Sequence, residues 1–550
     1  MIRSRTSRLR AVVAASVVAG TVATALVGSQ AASPAVAAPA AAATPRYDVD
    51  GDGVTDRIVQ RADGTTTITL SADGTTQPFT VGSHVTGVGN KPKEIVPLGT
   101  IQGTSAPDLA VLWSNGDLAV YEASGTSGTT QAYPVGPGWQ MFNKILSPGD
   151  VTGDGRPDLL GRTPAGMLHL YRSNGGSGLF GARAEVGGGW QVYDQLVGTG
   201  DLDGDRIGDV LARTVSGDLY FYQGTGSATG APFKARVKVG YGYQMFNQLV
   251  AADDLNADGR ADLLARTPDG TVYRYLASTG GRFAARQTVG TGGQNVLLYA
   301  GGGGVPAYGK HELVTFDDAN RIEVRRALSD GTFGAPELRG TNEKGYFHGT
   351  LSSALDEKGE ADLVEIGPGY AYADGVGWLG EGEEWNSYEF LVGPGDLTGD
   401  GKGDVVGRDF EGSLHLHRSD RLTYENWLDT RVRVGGGWGV YDQLVSGGDH
   451  SGDGRPDLVA RTYDGELYLY PGTGSATKPF GTPVLIGGGW STYTHLASPG
   501  DMTGDGRADL IGVDAAGDVY RYAATGLTGT RSFAAKVKFT SGWQRYQYIY

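Results

Sequence analysis

The 550-residue chain contains no cysteine. That excludes disulfide staples, thiolate metal sites, a cysteine nucleophile and an N-terminal lipoprotein anchor. Stability must come from the core and from any ions the chain binds. Histidine is scarce, at eight residues, and none lies in an H-E-x-x-H pattern. There is no G-x-S-x-G elbow and no phosphate-cradling G-x-x-x-x-G-K-S/T loop, so no catalytic residue is proposed and the expectation is a non-enzyme. No helical period runs through any segment. Basic residues are outnumbered, 46 Lys and Arg against 61 Asp and Glu, for a formal charge of −15. Nucleic-acid binders carry basic patches, so nucleic acid is an unexpected partner.

The acids are arranged in a pattern. A nine-residue string returns seven times: DVDGDGVTD from Asp48, DVTGDGRPD from Asp150, DLDGDRIGD from Asp201, DLNADGRAD from Asp254, DLTGDGKGD from Asp396, DHSGDGRPD from Asp449 and DMTGDGRAD from Asp501. Oxygen-bearing side chains at alternate positions of a tight Gly-bearing loop suit a hard cation that takes six to eight oxygens, and calcium fits best. Positions one, three, five and nine supply side-chain oxygens and position seven a carbonyl. The expected ligands are Asp48, Asp50, Asp52 and Asp56; Asp150, Thr152, Asp154 and Asp158; Asp201, Asp203, Asp205 and Asp209; and Asp254, Asn256, Asp258 and Asp262. The last three loops add Asp396, Thr398, Asp400 and Asp404; Asp449, Ser451, Asp453 and Asp457; and Asp501, Thr503, Asp505 and Asp509. Up to seven calcium ions are expected. The loop is not an EF-hand, which closes on a Glu at position twelve between helices. The Asp201 loop is expected to be the weakest. Its sixth position is Arg206 where the others have Gly, and a left-handed turn there costs a non-Gly residue roughly 1 kcal/mol or more.

Arg3, Arg5, Arg8 and Arg10 precede an apolar run from Ala11 to Val27 and a small-residue site at Ala35-Val36-Ala37. Residues 1–43 therefore read as a secretory signal peptide and Ala/Pro-rich leader, which predicts an extracellular protein with no stable membrane insertion after cleavage. An uncleaved anchor is the alternative.

The closing Asp of the loops falls at positions 56, 158, 209, 262, 404, 457 and 509, and the gaps hold worn copies around Asp108, Glu312 and Asp362. Ten repeats result. Each contains four short β-capable segments with Gly-rich turns, as in GWQVYDQLV, DVLAR, GDLYFYQG and FKARVKVG from Gly189 onward. This predicts an all-β propeller of about ten four-stranded blades. The terminal GWQRYQYIY from Gly542 matches the opening strand of a repeat, and Gly293–Ala300 is another copy, followed by the glycine run Gly301–Gly304. Two five-bladed rings, residues 46–300 and 301–550, satisfy this phase, the second beginning with two degenerate repeats. One larger ring is the alternative.

With Phe180-Gly181, Phe333-Gly334 and Phe480-Gly481 added, the loops and following strands resemble FG-GAP (VCBS-type) repeats. That resemblance implies calcium-bound propellers like those of integrin α-subunits and bacterial secreted proteins. The chain departs from the family where Gly161-Arg162-Thr163-Pro164 and Ala265-Arg266-Thr267-Pro268 stand in place of Gly-Ala-Pro. The Gly-Trp-x-x-aromatic-x-x-Leu element is similar to that of tachylectin-type propeller lectins.

An aromatic stands eleven residues before the loop at Trp139, Trp190, Tyr243, Trp385, Trp438 and Trp490, with Trp543 in the terminal strand. These rings serve either as sugar-stacking platforms or as packing between blades. Gly-Gly-Gly-Trp is intact at Trp190, Trp438 and Trp490, the ligand-binding candidates, whereas the repeats near Gln294 and Tyr346 lack it. An Arg four residues after the closing Asp (Arg162, Arg213, Arg266, Arg408, Arg461) either binds an anionic ligand or pairs within the protein. His415 and His417 share one strand face, expected to be solvated. The function expected is a calcium-stabilised, lectin-like binding or adhesion module for glycans or cell-surface polymers. A polysaccharide-acting enzyme and a purely structural envelope protein are the alternatives.

Overall fold

The computed structural model describes residues 45–550 apart from 62–63, 83–90, 102–103, 176–177, 294–295, 307–309, 342–348, 354, 356–360, 374–375, 401, 424–425 and 429–430. The expected leader at 1–43, Gln294 and Tyr346 lie outside the described residues. Ala41–Tyr550 is one unit, with no break at residue 300.

Among the described residues the chain forms ten four-stranded antiparallel sheets, two small two-stranded ones and no α-helix. The unit from Gly189 is representative. Its strands are Tyr193–Gly200, Asp209–Thr214, Leu219–Tyr222 and Val237–Gly240, hydrogen-bonded in chain order. Gly189, at φ 94, enters a 3₁₀ turn at Trp190–Val192 that delivers the aromatic side chain inward. The strand after the loop is buried from Asp209 to Arg213 around an apolar Val210-Leu211-Ala212 centre, whereas the outer strand Val237–Gly240 is exposed at Val237 and Lys238.

The core lies between successive sheets. One cluster joins Leu146, Leu160, Leu168 and Leu170 to Trp190, Tyr193, Leu196 and Val210 of the following unit. Small residues make room for the rings: a Cβ on Gly161 would come within 2.9 Å of the Phe142 ring.

In two sheets the inner strand comes from far along the chain. Val296–Tyr299 pairs with Arg57–Arg61, and Tyr546–Ile549 pairs with Glu312–Asp317. Gly301–Gly304 then runs among the inner strands of the first half. Gly301 donates to the Ile95 carbonyl at 3.0 Å, Gly303 donates to Leu249 at 2.7 Å, and Gly303 accepts from Leu196 at 2.7 Å. A Cβ at Gly303 would lie 2.5 Å from a Val197 methyl, so only glycine threads there. In the second half the corresponding inner strands surround a cavity of about 520 Å³.

The halves also touch through loops. Asn143 donates to the Asp453 carbonyl at 3.1 Å, Asn247 to the Thr503 carbonyl at 2.6 Å, and Arg266 to the Gly504 carbonyl at 3.0 Å. Arg507 reaches Asp194 at 3.4 Å.

Candidate metal centre

Each acidic string folds into a turn organised by its first Asp. Asp150 Oδ1 accepts from the amide of Gly153 at 2.6 Å, and Oδ2 accepts from Gly155 at 2.6 Å. This winding needs left-handed backbone at positions four and six, filled by Gly153 (φ 78) and Gly155 (φ 82). Arg206 takes φ 70 at position six of the Asp201 loop, the conformation expected there. Position four carries the same demand, which the sequence reading missed: Ala257 sits at φ 58.

The closing Asp has a structural role as well. Asp209 Oδ2 accepts from the Leu202 amide at 2.9 Å, and Oδ1 from the Gly224 amide at 2.8 Å. The same clasp, seven residues back and fifteen ahead, recurs at Asp262 with Leu255 and Ala277 and at Asp509 with Met502 and Ala524. The arm to the residue seven back is kept where the loop is worn, Asp108 accepting from Ile101 and Asp362 from Leu355. The acid at position nine therefore ties loop to strand even where no acidic loop surrounds it. A carboxylate has about four lone-pair sites, so a clasping Asp keeps capacity for a cation.

Three loops bring three carboxylates within 4.8 Å of one another: Asp48, Asp50 and Asp56; Asp201, Asp203 and Asp209; and Asp449, Asp453 and Asp457. Position five is drawn aside in the first two, where Asp52 accepts from Ser71 and Asp205 from Gln223. Among the described residues no such trio forms in the loops from Asp150, Asp254, Asp396 and Asp501. In the last, Asp505 is held by Arg507.

Burial raises the closing carboxyls, Asp209 to about 8 and Asp158 and Asp262 to about 6. Burial and then the neighbouring Asp453 raise Asp449 to about 7. Clustered oxygens resisting ionisation in a desolvated turn fit a hard divalent cation. Such an ion would be held by the three trios and would supply the positive charge they lack.

Three stretches of the chain match the FG-GAP-like repeat family. They are residues 150–212, 201–265 and 449–512, each running from the start of one acidic loop through the next loop and into the strand that follows it. No curated protein matches the chain. Among solved structures, the BP39L lectin from Burkholderia pseudomallei is similar over 72% of this chain and 100% of its own, at 14% identity and a TM-score of 0.22. That likeness is too slight to argue from.

The recurring arginines clasp one sheet to the next. Arg213 is 2% exposed. It pairs with Asp194 at 2.5 Å and donates to the Tyr243 and Phe246 carbonyls at the start of the next sheet. Arg162 reaches Trp190 and Tyr193 in the same way, Arg266 reaches Gly293 and Val296, Arg408 reaches Trp438 and Tyr441, and Arg461 reaches Trp490 and Tyr493. With every donor fork turned inward, the anionic-ligand reading of these arginines is set aside.

The sugar-stacking expectation for Trp190, Trp438 and Trp490 is likewise corrected. They are 7%, 8% and 7% exposed and lie against Tyr222, Tyr470 and Tyr522 at 4.5, 4.6 and 4.5 Å between ring centres. The tyrosines of the third strand fill the space a sugar would need. His415 and His417 are buried rather than solvated. His417 stacks on Trp385 at 4.4 Å and meets the Tyr388 hydroxyl at 2.8 Å, and His415 meets Asp409 at 2.9 Å.

Proposed function

We propose that the chain is a secreted, calcium-stabilised propeller of two five-bladed rings, residues 46–300 and 301–550, acting as a binding or adhesion module rather than an enzyme. The two long-range strand pairings support the ring division, since each lets five sheets close on themselves. The carboxylate trios support calcium as a ligand of the native state.

One observation carries the glycan part of the reading. With Trp190, Trp438 and Trp490 internal, an exposed aromatic surface remains at Trp378 and Tyr372, 44% and 36% exposed, on the outer strands of the seventh sheet. Trp378 lies 4.8 Å from Tyr370 and 6.2 Å from Tyr372, edge to face. Exposed indole and phenol faces with polar tips suit the apolar face of a sugar ring, so glycans or cell-surface polymers are the ligand class. The test is a glycan array with calcium-loaded protein, chelated protein and Trp378→Ala. Binding lost in the variant, whose fold is kept, supports the reading. Undiminished binding by Trp378→Ala removes it.

A further inference from the structure

On the two-ring reading above, the contact inside the molecule has a free counterpart at each end. The first half contributes the face where its inner strands begin, and the second half contributes its loop face. On the first half Asn143, Asp194 and Asn247, each directly after the inner-strand aromatic, take the Asp453 carbonyl, Arg507 and the Thr503 carbonyl. The turns after the clasp arginines press on the same partner. A Cβ on Gly526 would come 3.2 Å from Val215, and Pro164 borders an inter-half cavity of about 390 Å³ with Gly399 and Gly474.

Five repeats on, the equivalent positions form the open face of the second half. Glu389 and Asp442 follow the aromatic, with side chains 38% and 24% exposed. Phe410 and Tyr463 occupy the turns and are 68% and 67% exposed, whereas Pro164 and Val215 are partly covered. Two large rings therefore stand in solvent at positions whose counterparts meet protein. At the other end of the molecule, the loops of the first half carry Arg156 and Arg260 at position seven, where Arg507 stands in the loop that meets Asp194. Arg156 is 49% exposed and only 3.9 Å from Asp154.

We propose that these two faces dock on each other between copies of this chain. The Phe410 and Tyr463 face of one molecule receives the first-half loop face of a second, with Arg260 reaching Asp442 as Arg507 reaches Asp194, and Arg156 reaching Glu389. The contact is heterologous and leaves a free face at each end, so it builds a head-to-tail array. An array multiplies weak surface sites into avid binding, which suits an adhesion module.

The test is sedimentation velocity of the full calcium-loaded chain from about 1 to 100 µM, a range that reads weak self-association. The wild type should sediment faster as concentration rises. Phe410→Ser/Tyr463→Ser and Arg156→Gln/Arg260→Gln should each associate at least about tenfold more weakly, with melting curves near that of wild type. Mixed together, the two variants should form one-to-one dimers and stop there, because each supplies the face the other lacks. A wild type monomeric at the highest concentration overturns the proposal, as does association that survives both variants or a mixture that forms no dimer. Small-angle scattering of the Phe410→Ser/Tyr463→Ser monomer separates the two readings. A two-lobed particle together with a wild type that fails to associate refutes the docking alone, and a single broad disc refutes the two rings and the docking together.

Discussion

In residues 46–300 the inner strands close on Gly301–Gly304, and the loop tips Gly153–Arg156 and Gly204–Arg206 are exposed. In residues 301–550 the inner strands leave a cavity of about 520 Å³, while the loop from Asp501 is buried, Asp501 at 5% and Asp509 at 0% exposure. One nine-residue pattern thus gives a solvent-facing turn in one half and part of an internal contact in the other. What differs is what covers each loop: Asp194, Asn247 and Arg266 lie over the Asp501 loop, whereas among the described residues the tip at Gly204–Arg206 stays exposed. Sequence similarity between repeats therefore does not carry over to equal burial or equal ion access.

The largest expected effect tests what the halves share. Each cation bound only by the native state adds about 2.7 kcal/mol at a hundredfold excess over Kd, so chelation should lower the melting temperature by tens of degrees. Differential scanning calorimetry with and without EDTA checks this, and an unchanged curve overturns the role of calcium. Next, Trp190→Ala, Trp438→Ala and Trp490→Ala should each cost roughly 3–5 kcal/mol, because each removes an indole from between two sheets. Urea unfolding reads the cost. A variant that keeps wild-type stability would return its ring to the ligand candidates.

The arginine clasps separate the halves. Arg213→Met leaves Asp194, whose side chain is 5% exposed, without its main partner, a change of roughly 3–5 kcal/mol. Arg461→Met should cost less, because Asp442 is 24% exposed and water can reach it. Equal losses would show that burial is not what distinguishes the pairs.

The pH response of calcium-free protein has a definite sign. Asp209 at about 8, Asp449 at about 7, and Asp158 and Asp262 at about 6 all lie above the ordinary 3.8. The folded state then binds more protons than the unfolded one between about pH 4 and 8. Calcium-free stability should fall as pH rises through that window. Saturating calcium should remove the slope, and melting curves at pH 5 and 8 with and without calcium would show it.

The smallest effect concerns a single turn. Arg206→Gly relieves a left-handed residue and should stabilise the apo chain by roughly 1 kcal/mol. Calcium titration of the variant would show whether the arginine also weakens the ion.

The acidic loops, the ten-fold repeat and the short strands were legible because each is local: alternating oxygens, fixed spacing and Gly-bounded apolar strings. The double clasp of the closing Asp was not, since its amide donors lie seven residues back and fifteen ahead, on another strand. The arginine clasps left a weaker trace, an amide or acid after the inner-strand aromatic at Asn143, Asp194, Asn247, Glu389 and Asp442. His417 could have been placed by aligning Leu414-His415-Leu416-His417 with Leu467-Tyr468-Leu469-Tyr470, where Tyr470 packs against Trp438.

The sequence by itself determined the all-β character, the unit length and the loops that gather carboxylates. All three follow from backbone preference and charge within about ten residues. Only the tertiary structure decided which faces are covered. Tyr222 closes over Trp190, Gly301–Gly304 threads between strands of the first half, and the first half buries the Asp501 loop. The physical reason is that burial is a property of contacting surfaces, and the surfaces that meet here are brought together from positions tens to hundreds of residues apart.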